Sequence, residues 1–201
     1  MKILGLTGPS GAGKGAVCAI FAKYGIPCID TDAVYHQLLA ESDALTAELA
    51  DAFGTAILDA DGKVDRKKLG AAVFGKENTT ELLHTLNHIT HKYVMAKTWE
   101  IVHDLEKEGA KAVLIDAPQL FEAGWESRCD KIIGVLADRD TRLARIIARD
   151  GIDRDAALRR INAQREDAFF RRSCHTILEN NGSMAELEQQ IRQSMLLGTW
   201  E

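Results

Sequence analysis

The chain has 201 residues, of which 46% are hydrophobic and 27% charged, with a formal net charge of -5. That length suits one folded body with insertions, the acidic balance argues against general nucleic-acid binding, and no apolar run approaches the roughly 20 residues of a membrane span. The opening "MKILGLTG" carries too short an apolar run for a signal peptide, and Cys18, Cys28, Cys129 and Cys174 are scattered without a close pair, so a reducing cytoplasm is expected, with neither a zinc site nor a disulfide framework.

In chain order, "KILGLT" (2–7) is a short apolar run that breaks into glycines, and "KGAVCAIFAKYG" (14–25) then repeats Val17, Ile20, Phe21 and Tyr24 at helical spacing. Strand, loop and helix follow, with Gly25 ending the helix. "IPCID" (26–30), "AVLID" (112–116) and "KIIGVLA" (131–137) read as buried strands, and "CHTILEN" (174–180) as a weaker fifth. The longest helix is expected over 78–109, where Asn78 and Glu81 can form a capping box, Leu82, Leu86, Ile89 and Tyr93 share a face, and Gly109 stops the chain. This alternation predicts an α/β fold of three layers, a five-stranded parallel sheet covered by helices. One domain is expected: core segments 1–39, 110–138 and 173–201, a helical insertion over 40–109, and an arginine-rich lid over 139–172.

"GLTGPSGAGKGAV" (5–17) nearly spells a phosphate-binding loop, G-x-x-x-x-G-K-[ST], through Gly8, Gly13 and Lys14. A strand that restarts as a helix turns several amides, and the positive end of the helix dipole, toward one point that attracts polyphosphate. Gly8, Gly11, Ala12, Gly13, Lys14, Gly15 and Ala16 are therefore candidate nucleotide-binding residues, with Lys14 reaching the terminal phosphates. The hydroxyl that would ligate magnesium is replaced by Gly15, and the next residue is Ala16. Magnesium keeps several waters, so ATP oxygens, water and a nearby carboxylate can suffice.

Two acidic motifs follow strands, where ligands of open α/β sheets bind. Asp30 and Asp32 in "IDTDAVYHQL" could face the acceptor and the phosphates, a carboxylate there accepting a proton or holding water on magnesium; capping of the next helix is the competing role for Asp30. Asp116 in "VLIDAPQLFEAG" is a second candidate for the metal, along with Asp32.

Ten of the 13 arginines lie between 139 and 172. A solvated helix pair would carry most of them, yet phosphoryl transfer needs cations that close over developing charge. Arg145 and Arg149, one turn apart, are the candidates for that role.

Together these motifs resemble the dephospho-coenzyme A kinase family along nearly the whole chain. "GLTG…GAGK" resembles its loop, "IDTDAVYHQL" its Asp-x-Asp motif, and "LNHITHKYV" its histidine motif, with Lys92 where the family usually has proline. "IDAPQLFEAG" is similar to its Asp-x-Pro motif except at Gln119, and "RLARIIARDGIDRDAALRRINAQ" to its lid. The resemblance implies a P-loop kinase that moves the ATP γ-phosphate to the ribose 3′-hydroxyl of dephospho-coenzyme A, with Mg2+ and with Asp32 as base. It also implies that the insertion holds the acceptor, using Lys63, Arg66, Lys68 and His91. The alternatives are a nucleoside monophosphate kinase, which "GPSGAGKG" alone favours, and a nucleotide or coenzyme A sensor that has lost catalysis with its missing hydroxyls. No Asn-Lys-x-Asp guanine motif supports a GTPase.

Overall fold

The structure, a computed structural model, describes residues 1–74 and 78–197. Residues 75–77 of the expected insertion and 198–201 of the expected core lie outside the described residues. Strands β1 (Lys2–Thr7), β2 (Cys28–Asp30), β3 (Ala112–Asp116), β4 (Lys131–Leu136) and β5 (Thr176–Glu179) form one sheet in the order β2-β3-β1-β4-β5. β1 pairs in parallel with β3, Leu6 opposite Asp116, and with β4, Leu6 opposite Ile133; β4 pairs in parallel with β5. Neighbours on both sides explain why "KILGLT" is apolar on both faces: its last four residues are buried. β2 is shorter than "IPCID" suggests because Pro27 has no amide to donate; its carbonyl accepts from Leu114 N–H at 2.9 Å.

The chain divides into two compact units, Met1–Ile29 with Leu105–Glu201, and Asp30–Asp104. The first contains the sheet, α1 (Lys14–Lys23), α6 (Arg139–Asp150), α7 (Arg154–Asn162), α8 (Asp167–Ser173) and α9 (Met184–Leu197). Its core joins Leu4 and Leu6 of β1, Val17, Ile20 and Phe21 of α1, Leu114, Val135, and Leu187 and Ile191 of α9. Each such side chain, fully buried, contributes roughly 1.5–3 kcal/mol. The expected lid folds as three helices, and α6 and α7 close over their own small core of Leu143, Ile146, Ala157 and Ile161.

The second unit is helical: α2 (Thr31–Glu41), α3 (Asp43–Phe53), a 3-10 turn at Thr55–Ile57, α4 (Arg66–Phe74) and most of α5 (Thr79–Lys107). It packs around Leu39, Leu45, Leu49, Ile57, Val64, Leu69, Val73 and Ile89. Its first residue is Asp30 rather than one near position 40, so α2 belongs to it. Between 30 and 104 the described residues contain no strand beyond the last residue of β2, only an isolated antiparallel bridge from Leu58 to Val64.

One expectation is corrected. Cys18 of α1 and Cys28 of β2, expected to be scattered, are a close pair in space, with Cα atoms 5.7 Å apart, within the span that a disulfide can bridge. Ten residues separate them in sequence, but the turn at Gly25, closed by Ile26 N–H donating to Phe21 carbonyl at 3.1 Å, sends the chain back along the helix it has just left. Cys129 and Cys174 are free.

Candidate active site

The loop between β1 and α1 is built from residues 8–13. Gly8 has φ 146°, and a Cβ there would run into the carbonyl of Val135 on the neighbouring strand. Gly13, at the N-cap of α1, has φ 98° in the left-handed region, which suits glycine. Ala12 between them is fully buried.

The loop carbonyls are all engaged by donors of the protein. Gly8 accepts from Lys14 Nζ at 3.3 Å, Pro9 from Ala12 N–H at 3.1 Å, and Ser10 from Arg142 Nε at 3.1 Å. Gly11 and Ala12 each accept from Arg145 Nη1 at 3.3 Å, and Ala12 also from Asn180 Nδ2 at 2.8 Å. Gly13 accepts from Ala16 N–H at 3.0 Å. In a trans peptide the amide points opposite to its carbonyl, and the first amides of a helix have no partner inside it. Carbonyls held outward thus leave the amides of Gly11, Gly13 and Lys14 directed inward, a cradle for an anion with Lys14 beside it. Gly15 is exposed, with nothing within 4 Å of where a Cβ would stand, and Ala16 packs against the core.

Asp116 ends β3, partly buried, with Cys18 Sγ 4.0 Å from its Oδ2. It shares a unit with the loop, as do Arg145 and Arg149. Arg149 donates through Nη2 to Ser10 Oγ at 3.1 Å and pairs through Nε with Asp150 at 2.7 Å.

The other candidates lie in the helical unit. Asp30 caps α2, its carboxylate accepting from Asp32 N–H at 2.9 Å and Ala33 N–H at 3.2 Å. Asp32 is exposed in the first turn of that helix. Lys63 pairs with Asp43 at 2.7 Å, and Lys68 Nζ donates to the Leu58 carbonyl at 2.6 Å. Arg66 opens α4, near the Tyr35 phenol that burial pushes up in pKa. His91 is half-buried on α5. Among the described residues no three His, Cys, Asp or Glu side chains are grouped to hold a metal.

Sequence reasoning missed Asn180 and Gln164. Asn180, 5% exposed, follows β5 as Asp116 ends β3, so the strand-end rule could have found it. Gln164, whose Oε1 accepts from Ser10 N–H at 3.0 Å, carried no signal of its own.

The dephospho-CoA kinase family pattern matches residues 2–186. The chain belongs to that family. A dephospho-CoA kinase of Carboxydothermus hydrogenoformans is 34% identical over all of this chain and 96% of its own length. Among solved structures, a Thermus thermophilus protein superposes with a TM-score of 0.80 at 31% identity, covering 98% of both chains. Dephospho-CoA kinase from Campylobacter jejuni does so at 0.70 and 27%, over 98% of this chain and 96% of that one. The sheet and its helices are accordingly those of a P-loop kinase, and the protein is a kinase that uses ATP. No described helix is long and apolar enough to cross a membrane.

Proposed function

We propose that this dephospho-CoA kinase relative transfers the γ-phosphoryl group of ATP to the ribose 3′-hydroxyl of dephospho-coenzyme A, giving coenzyme A. Family membership over residues 2–186 supports the acceptor. The observation that carries the nucleotide site is the loop whose carbonyls are held away by Arg142, Arg145 and Asn180, because amides aimed in advance at phosphate cost no reorganisation during reaction.

In this reading Lys14 leaves the Gly8 carbonyl to neutralise the transferred phosphoryl, with Arg145 and Arg149 steadying the charge that spreads over its oxygens. Asp32 accepts the proton of the attacking hydroxyl; Asp30 holds the start of α2, and through it Asp32, in place. Lys63, Arg66, Lys68 and His91 bind the acceptor, Lys63 and Lys68 exchanging their present partners for it.

The donors fit magnesium carried in with ATP rather than caged by protein: a carboxylate, Asp116, stands one strand from Leu6, and Gly15 and Ala16 offer no hydroxyl. Asp116 and Asp32 would hold its waters, and the ion would supply charge neutralisation between the phosphates. A cytoplasmic setting goes with this reading; Cys129 and Cys174, whose thiols burial pushes up to about 11, would be unreactive there.

ATP turnover is measured with dephospho-coenzyme A, CMP, GMP and AMP as acceptors. Product with dephospho-coenzyme A alone is expected; phosphorylation of a nucleoside monophosphate instead would overturn the acceptor.

A further inference from the structure

Ser10, in the middle of the loop, is held on three sides by the segment that follows β4. Its amide donates to Gln164 Oε1 at 3.0 Å, its carbonyl accepts from Arg142 Nε at 3.1 Å, and its hydroxyl accepts from Arg149 Nη2 at 3.1 Å. Arg142 Nη2 donates to the same Gln164 oxygen at 3.0 Å. The contacts close a ring that runs from the Ser10 amide through Gln164 and Arg142 back to the Ser10 carbonyl.

Arg142 is 5% exposed, unusual for an arginine unless it is paired, and Asp167 Oδ1 stands 3.6 Å from its Nη1. Burial lowers its pKa, and Asp167 works against that. Arginine has only donors to offer, so the ring depends on its one side-chain acceptor, the amide oxygen of Gln164. That oxygen takes two donors with its two lone pairs.

Fixing the Ser10 carbonyl toward Arg142 turns the Gly11 N–H the opposite way, because the peptide between them is planar and trans. Gly11 lies against the backbone of Arg142 and its carbonyl accepts from Arg145, and the ring adds the contact that fixes the Ser10 carbonyl itself. Gln164 lies between α7 and α8, 154 residues from Ser10, and makes no contact with the acceptor-binding candidates that the described residues record.

We propose that Gln164 is a positioning residue: by holding Ser10 and Arg142 together it sets the Ser10–Gly11 peptide, so that ATP binding by the loop depends on the α7–α8 turn. The proposal rests on reading the loop as the ATP site.

The test uses the full chain, with ATP binding followed by calorimetry and steady-state kinetics run for both substrates. Gln164→Met keeps the length and removes the acceptor; Gln164→Glu keeps an acceptor for both donors. For Gln164→Met we expect ATP Kd and KM to rise at least tenfold, dephospho-coenzyme A KM to stay within twofold, and the unfolding temperature to stay within a few degrees. Gln164→Glu is expected within threefold of wild type in ATP Kd. Gln164→Ala serves the same comparison if methionine disturbs the turn. An ATP Kd within twofold of wild type in Gln164→Met, or Gln164→Glu falling as far as Gln164→Met, overturns the proposal. Wild type that binds ATP without phosphorylating dephospho-coenzyme A would defeat the acceptor assignment instead, and the calorimetric comparison would still decide the role of Gln164.

Discussion

Lys14 Nζ donates to the carbonyl of Gly8, six residues earlier, at 3.3 Å. The cation is thus parked across the loop itself, and in the function proposed above ATP would replace a neutral acceptor with a charged one, an exchange that favours the ligand. Lys14→Ala is expected to lower kcat by about 10²-fold or more, in line with loss of a charge-stabilising group. Single-turnover phosphoryl transfer measures it, and normal turnover in the variant would remove Lys14 from the mechanism.

Asp32 and Asp30 separate by function in a paired experiment. Asp32→Asn keeps the shape of the first turn of α2 and removes the proposed base, so kcat should fall by about 10²-fold or more with ATP affinity unchanged. Asp30→Asn retains a good N-cap and should leave kcat within a few-fold. Equal losses of kcat and affinity in Asp32→Asn would point to a structural role.

Asn180→Leu removes the donor to Ala12 carbonyl, a buried contact of 2.8 Å. Arg145 still reaches that carbonyl, so the expected cost is about 1 kcal/mol of stability, read from urea unfolding, together with weaker ATP binding. Unchanged binding would mean that Arg145 alone aims the Gly13 amide.

Gly15→Ser meets no atom within 4 Å of its new Cβ, and glycine in a helix is less stable than most residues by roughly 0.5–1 kcal/mol. The variant should fold at least as well as wild type and need less magnesium for half-maximal turnover. A magnesium titration of both proteins checks this; an unchanged midpoint would show that water and carboxylates already saturate the ion.

Glu48 accepts from Lys92 Nζ and from the Tyr93 hydroxyl, which hold its carboxyl below the usual 4.5. A lowered folded-state pKa contributes stability that is complete above the unfolded value and lost as pH falls through the folded one. The difference in Tm between wild type and Glu48→Gln should therefore stay level from about pH 8 to about pH 5 and shrink below about pH 4.5. A difference that widens on acidification would have the wrong sign for this pairing.

Periodicity and apolar runs alone mark β1 and β3 at their observed ends, because a strand buried on both sides needs an unbroken apolar run. β5 is less legible: only Leu178 among its four residues is fully buried, at the sheet edge. The Gly-rich loop is legible as a local pattern, and so is Asp116 at a strand end. The clamps on the loop are not, because Gln164 and Asn180 reach it from 154 and 168 residues away, and local spacing carries no trace of such contacts. Arg142 was one arginine of ten in sequence; burial singles it out. The pairing of Cys18 with Cys28 depends on a tight helix-to-strand reversal that cysteine spacing does not encode.

Those long separations also set an order of events on the ribosome. Synthesis at about 5–20 residues per second delivers Ala12 of the loop 168 residues ahead of Asn180. Until Asn180 is made the Ala12 carbonyl lacks that donor, and contacts so distant in sequence are slow to close. The loop's sequence is thus complete well before the distant donors that hold its carbonyls have been made.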